Sequence, residues 1–468
     1  MEDGFVPSSD WIVGLIEEIY AKGVRRPGYP AHRWTVEFCA ERFREFGLEN
    51  ARLEPVSLPY WEPRSWSLHV TGPDEETELP CFPLPHSAPT DDIELELVSY
   101  DPTSPDAVVG KASFHEVQLL RMPPTVPVSG GAALTLAVKE SGREAHPGGR
   151  IIDPRGTFDG AQQTMPFGPL FQEVMEPAIA AGAAAYIGTL TGYPGDSCEY
   201  YVPYDGVARP IPGVWIRGSD GARLRSMLDA GSVRVSLHVD SVREEITDHN
   251  VIGELSGIDE DIILIGSHHD GPWSSAVEDA SGVALVLAQA AYWSKVPAAD
   301  RPHRMLFLLN AGHMVGGAGC DAFIDAHAQE LERIVLEIHL EHAASQFVEK
   351  DGEIVPTGEP ETRWFFTSRL LLLEAAVAKA LEAEQLDRSL ILPPDTFGEQ
   401  PTTDGGAFYP AGVPLVNYLT APFYLFDPTD TMDKIHVPSL VPVTRAAIRL
   451  VESTKGISAA SMRSALTH

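Results

Sequence analysis

A three-layer α/β sandwich around a mixed, mostly parallel sheet is the fold class that this 468-residue sequence predicts. Three observations predict it. Residues 262–266 and 305–309 are apolar runs, the pattern of parallel strands covered on both faces. Between them Val283, Val286, Leu287, Ala290 and Ala291 recur at helical spacing. Residues able to bind a metal gather where the strands end, and seven of the 16 histidines fall between His268 and His342. Strand–helix–strand alternation puts helices on both sheet faces, and such sheets carry reactive groups in loops beyond the strand ends.

The elements follow in order. Ile12, Leu15, Ile16, Ile19 and Tyr20 predict a first helix, with its N-cap in Ser8-Ser9-Asp10. After the turn Arg25-Arg26-Pro27-Gly28, a second amphipathic run carries Phe38, Phe43 and Phe46 and stops near Gly47. From Pro55 to about Ser104 the chain is proline-rich, with short alternating stretches such as residues 66–70, read as β structure and loops. Residues near 105–240 form a second unit. It holds a short buried strand at 149–153, a helix end running into a strand over 178–187, and a strand at 211–216 before a helix start at 218–221. This succession resembles the protease-associated domain, a small α/β module inserted in some exopeptidases. A third unit begins near Asp248, with residues 250–255 as its first strand.

Lys plus Arg is 34 against 67 Asp plus Glu, a net charge of −33. That excludes nucleic acid as a partner, because phosphate backbones are bound by clustered basic residues. It also argues against anionic membranes. No apolar run approaches the roughly 18 residues that cross a bilayer. The acidic N-terminus lacks the basic start and apolar middle of a signal peptide, so a cytoplasmic location is expected. Cys39, Cys81, Cys198 and Cys320 are scattered and are expected as buried thiols.

Four strand ends carry the chemistry. One leads into His268-His269-Asp270. Ten residues after His268, Glu278-Asp279-Ala280-Ser281-Gly282 opens a helix. A third leads into His313-Met314, and the last reads His339-Leu340-Glu341-His342. In His-x-Asp, the His offers one ring nitrogen to a metal while the Asp takes the other ring N–H. Carboxylates from further loops complete a nitrogen and oxygen set that suits Zn, Mn, Fe or Co. His339 and Glu341 share one strand face and His342 points the opposite way, so all three do not easily bind the same ion.

The third unit resembles the zinc aminopeptidase family that includes glutamate carboxypeptidase, glutaminyl cyclase and the metal-free transferrin receptor. Residues 250–255 look like its first strand, and 262–270 like its His-x-Asp strand. Residues 276–282 look like its Asp-Asn-x-Ser-Gly loop, and 307–323 like the segment bearing its Glu-Glu pair. Residues 403–414 resemble its Ser-Asp … Gly-Ile-Pro stretch, and 427–435 its last loop. On this resemblance, residues 1–60 and 246–468 make the metallopeptidase-like domain and 61–245 the insertion. The departures are specific. Glu278 stands where the family has a bridging Asp, His313 and Met314 where it has Glu-Glu, Glu341 where it has a ligand Asp, and Phe426 where it has a final His. The resemblance thus implies one divalent metal, Zn or Mn, on His268, Glu278 and Glu341, with the second ion's ligands lost.

Two readings follow. In the first, the protein is a one-metal hydrolase cleaving a C–N bond of a small amide, amine or short peptide. His313 moves the proton, or is a ligand while Asp270, His342 or Asp404 moves it. His269 and Asp279 are further ligand candidates. Tyr201, Tyr204 and Phe426 are candidate substrate walls, and Arg209 could meet a carboxylate. In the second, the fold survives as a metal-free binding module. An ordinary aminopeptidase is a third alternative, and the family likeness makes a homodimer an expectation.

Overall fold

The computed structural model describes residues 1–139, 144–166 and 174–466. Two helices open the chain, α1 (Ser9–Tyr20) and α2 (Pro30–Glu45). The Ser8 hydroxyl caps α1 by accepting the Trp11 N–H at 3.2 Å. Pro30 starts α2, where its missing N–H leaves no bond unmade.

Two long strands, β1 (Glu49–Thr71) and β2 (Val233–Leu255), pair antiparallel along almost their whole length. The first half of β2 also pairs with Thr90–Ser99, and its last five residues pair with β4 of the main sheet. One strand is therefore shared by two sheets. Beyond Thr90–Ser99 the smaller sheet continues with Ala112–Gln118, Ala185–Thr191 and Gly213–Ile216, each parallel to the last.

The main sheet uses β3 (Ile262–His268), β4 (Arg304–Asn310), β5 (Ile334–Leu340), β6 (Arg363–Thr367), β7 (Ser389–Leu392) and β8 (Leu415–Thr420). Their spatial order from β2 is β4, β3, β5, β8, β6, β7. The β4–β3, β3–β5, β5–β8 and β6–β7 pairs are parallel, and β2–β4 and β8–β6 antiparallel. Alternation makes the two cores: Ile263, Ile265, Met305, Phe307 and Leu309 face one side, Ile262, Leu264, Leu306 and Leu308 the other.

The helix expected after β3 is α3 (Gly282–Trp293), and it is buried all round. The sheet covers one side, and α1 and α4 (Val437–Ser453) cover the other. Gly282 lets α3 start hard against the end of β5. A Cβ there would lie 2.5 Å from the Leu340 carbonyl and closer still to the Asp279 carboxylate.

The short strand in residues 149–153 forms as Arg150–Ile152, but it is neither buried nor part of the second unit. It pairs antiparallel with β7 at the outer edge of the main sheet, with Arg150 and Ile151 exposed. Three residues paired on one side supply too little apolar surface to demand cover. Cys39, Cys81 and Cys320 are buried, Cys198 half-buried, and all four are free thiols. Among the described residues, no helix is long and apolar enough to cross a membrane.

Candidate metal centre

Three imidazoles converge at the carboxyl rim of the parallel strands. His268 ends β3, and its Nδ1 faces the Asp270 carbonyl at 3.1 Å. His342 follows β5, and its Nδ1 faces the Thr420 carbonyl at 2.7 Å. His313 follows β4, and its Nδ1 faces the Asp404 carboxylate at 3.3 Å. An oxygen acceptor at Nδ1 fixes the proton there and leaves the Nε2 lone pair for the site. All three Nε2 atoms point at Glu278. The His268 and His313 atoms lie 3.3 and 3.8 Å from its Oε1, and the His342 atom lies against its Oε2.

Glu278 is held from its backbone. Asp430 accepts the N–H groups of Val277 and Glu278 at 2.8 and 2.9 Å. The wholly buried Arg25 donates to the carbonyls of Ser274, Ser275 and Glu278. Glu341 is fixed through one oxygen. Its Oε1 accepts from the Asp404 N–H at 2.9 Å and lies 3.1 Å from His339 Nε2, while Oε2 faces His342 at 3.9 Å. His339 is wedged between Glu341 and Glu337, and Asn417 donates to Glu337 at 2.6 Å. Asp279 faces His268 at 3.8 Å and accepts from the Gly282 N–H and the Ser267 hydroxyl.

Burial opposes ionisation of Glu278, but His342 and His268 outweigh it and hold this carboxyl far below its usual range. Burial would lower His342, yet Glu278 and Glu341 bring it up to about 9. His339, between its two glutamates, rises to about 10 against the same opposition. Burial, the largest influence on Asp279, pushes it up to about 6.

Nε2 of His268, Nε2 of His342 and both Glu278 oxygens are buried, and they face only one another and the other charged groups of the site. Buried polar atoms normally find partners. Four gathered around one volume, with no other donor or acceptor to serve, fit a divalent cation. Two ligand groups have atoms within 4.8 Å of one another, His268–Glu278–His313 and His268–Glu341–His342, and they share His268. Imidazole and carboxylate without thiolate suit zinc or a similar ion.

The structure thus brings His268, Glu278, Glu341, His313 and His342 together, with Asp404, Asp279 and Asp270 behind them. His342 departs from the strand alternation because β5 ends at Leu340 and His342 takes a left-handed backbone, φ +53°. That turn swings its ring to the Glu341 side. The Asp270 carboxylate faces His268 Nδ1 at 3.5 Å, as His-x-Asp predicts. It also accepts the N–H groups of His313 and Met314 at 3.2 and 2.8 Å, and the Asp270 carbonyl lies nearer the ring nitrogen, at 3.1 Å. His269 turns away from the site, its Nδ1 2.8 Å from His32 Nε2, and so supplies no ligand.

Tyr204 lies 5.2 Å from the His313 ring and 4.9 Å from Phe426, forming a wall beside the imidazole. Tyr201 is buried with Trp61, Phe82 and Met314 and presents no open face. Arg209 is buried and paired with Asp205 and Glu176, so it is not available to a substrate carboxylate. Sequence reasoning missed Arg25 and Asp430. The turn and the last loop were in view, but no spacing says that both reach the Glu278 loop.

Residues 250–451 match the model of Peptidase family M28. Among curated proteins, the chain is 31% identical over 182 residues to the "probable leucine aminopeptidase 2" of Aspergillus oryzae. That alignment covers 36% of this chain and 34% of that protein, so the chain spans about a third of the length of the curated relative it matches. Among solved structures it is similar to the aminopeptidase from Aneurinibacillus sp. strain AM-1, with TM-score 0.64, 18% identity, and 96% and 94% of the two chains covered. The peptidase M28 precursor from Shewanella amazonensis SB2B gives 0.66, 19%, 95% and 96%. BSAP, a zinc aminopeptidase from Bacillus subtilis, gives 0.64, 16%, 95% and 95%. At these identities the likeness establishes a shared fold.

Proposed function

We propose, from the premise that residues 250–451 form a domain of the M28 peptidase family, that this protein is a metal-dependent hydrolase of peptide or small amide C–N bonds. The observation that carries the reading is the convergence of three imidazole Nε2 atoms and two carboxylates, buried and facing one another. One ion, zinc in preference to manganese, fits this set. Met314, in the second position of the family's Glu-Glu pair, is buried among aromatic rings and leaves no ligand for a second ion there.

His268, Glu278, His342 and Glu341 would hold a divalent ion, which would supply Lewis-acid polarisation of the scissile carbonyl and of an attacking water. His313 is placed to take that water's proton at Nε2 and pass it to the leaving nitrogen. Its side chain is 11% exposed, more than that of His268 or His342, which suits proton exchange with substrate. Asp404 holds the ring through Nδ1 and stabilises it once protonated. Tyr204 and Phe426 wall the same side and exclude water from the leaving group.

Elemental analysis of protein purified without added metal tests the reading, beside a panel of aminoacyl amides, short peptides and aromatic amines. About one zinc per chain and turnover of an amide or peptide are expected. No metal, and none taken up on titration, would leave a metal-free binding module. The division into residues 1–60 with 246–468 and 61–245 is supported by the β1–β2 register, in which Leu58 pairs with Ile246 and Tyr60 with Glu244, although Arg150–Ile152 of the inserted stretch adds a strand to the main sheet. The family likeness supports a homodimer acting on a small molecule or short peptide.

A further inference from the structure

We propose that Arg26 and Trp61 recognise a carboxylate on the substrate, so that this protein acts on acidic substrates; this rests on the hydrolase reading above. Arg26 is only 4% exposed, and no carboxylate among the described residues forms an ion pair with it, in a chain with 67 acidic residues. Its Nε donates to the Pro272 carbonyl at 2.8 Å, but its buried Nη2 has no acceptor. Five rings surround the guanidinium. Trp273 lies at 4.4 Å, Tyr201 at 4.8, Phe82 at 5.5, Trp61 at 5.6 and Tyr29 at 5.7 Å. Cation–π attraction holds the charge but satisfies no N–H.

A second donor beside it is also unmatched. Trp61 Nε1 is buried and has no acceptor. His86, its ring 6.1 Å from that of Trp61, keeps an unpartnered Nε2 as well. Two donors without an acceptor, on side chains whose guanidinium and ring lie 5.6 Å apart, suit a planar anion. A carboxylate, on an apolar or aromatic body, has that chemistry.

The place suits a substrate. Trp273 Nε1 donates to the Phe426 carbonyl at 2.9 Å, Phe426 packs on Tyr204, and Tyr204 packs on His313. One aromatic wall thus runs from the guanidinium to the proposed base. Arg25, the preceding residue, holds the Glu278 loop.

Two measurements on the full chain test the proposal. In the first, benzoate is titrated while indole fluorescence is followed, since Trp61 and Trp273 flank Arg26. Saturable quenching is expected, weakened at least tenfold in Arg26→Met and less in Arg26→Lys, which keeps the charge but loses the fork. Trp61→Phe, which removes one donor, is expected to weaken it about threefold to tenfold, the worth of a single hydrogen bond. Should Arg26→Met melt early, Arg26→Lys and Trp61→Phe carry the test. In the second, kcat/KM is compared for the dipeptide Leu–Phe and its C-terminal amide. The wild type is expected to favour the free carboxylate, and the preference to fall at least tenfold in Arg26→Met. No benzoate binding, or equal binding by Arg26→Met, overturns the proposal and assigns the unmatched donors to water. Arg26-dependent binding without hydrolysis of either peptide overturns the hydrolase reading and leaves a carboxylate site.

Discussion

His313 and Met314 are neighbours in sequence with opposite fates. The Asp270 carboxylate accepts both backbone N–H groups, which fixes the turn. From it one side chain enters the site and the other enters the aromatic cluster. If His313 is the base, His313→Ala lowers kcat by about 10²–10⁴ while metal content stays at the wild-type level. Asp404→Asn keeps the Asn310 contact poorly and loosens the ring, so a smaller fall in kcat is expected. Metal loss in His313→Ala, measured by the same elemental analysis, would make His313 a ligand instead. At this scale the sequence was legible for residues at strand ends. His268, Glu278 and Glu341 stand out because apolar strands lead into them. It was silent on Arg25, Arg26 and Asp430, whose roles depend on backbone carbonyls and N–H groups far away in the chain. It misplaced His342 because nothing in Leu340-Glu341-His342 marks where the alternation stops.

Among elements, the Ala276–Ser281 segment decides the geometry of the centre. It carries Glu278 and Asp279 between the end of β3 and the start of α3, and Asp430 holds it by two N–H groups. Asp430→Ala strands both donors in a buried place. A loss of about 2–4 kcal/mol in unfolding free energy is expected, with metal affinity weakened about 10- to 100-fold. Denaturant titration and competition with a chelator measure the two separately; unchanged affinity would mean that Arg25 alone positions the loop. A second element shows how burial writes pH into stability. In Ala112–Gln118, His115 is sandwiched between Tyr100 and Tyr186, and burial lowers it to about 4. A histidine lowered on folding stabilises the fold fully above its ordinary value near 6.5, and loses that contribution as pH falls from there towards 4. Wild type should therefore lose about 2 kcal/mol relative to His115→Gln between pH 7 and pH 4, the full shift being discounted for partial exposure. Parallel pH-stability curves for the two proteins would refute the assignment. The strands and helices of this region were readable from period and turn residues. The length of β1 and β2 was not, because prolines in residues 55–63 read as breaks, whereas a two-stranded ribbon tolerates proline along its unpaired edge.

For the whole molecule, the shared strand β2 couples the smaller sheet to the site. The long ribbon pairs with Thr90–Ser99 at one end and with β4 at the other, and β4 leads into His313. The sequence showed two units but not that a single strand serves both, since hydrogen-bond partners leave no mark on composition. The centre adds a cost to this continuous frame. Glu278, Glu341, Asp270 and Asp279 lie buried within one region of a chain of net charge −33, offset only in part by Arg25 and the neighbouring imidazoles, His339 among them. A bound cation relieves that repulsion in the folded state and has no preformed site in the unfolded chain, so binding adds directly to stability. At a free concentration about 100-fold above Kd the gain is about 2.7 kcal/mol. For a chain of this size that corresponds to a Tm shift of about 3 °C. Dialysis against a chelator should lower Tm by that amount, and zinc should restore it. The loss should be shared by both units as one transition in calorimetry, because β2 cannot leave one sheet without disturbing the other. His268→Ala, which removes the residue common to both ligand groups, should melt at the chelated temperature and gain nothing from zinc. A zinc response in His268→Ala equal to that of wild type would place the ion elsewhere, and a Tm indifferent to chelator and zinc in the wild type would mean that the five convergent side chains hold none.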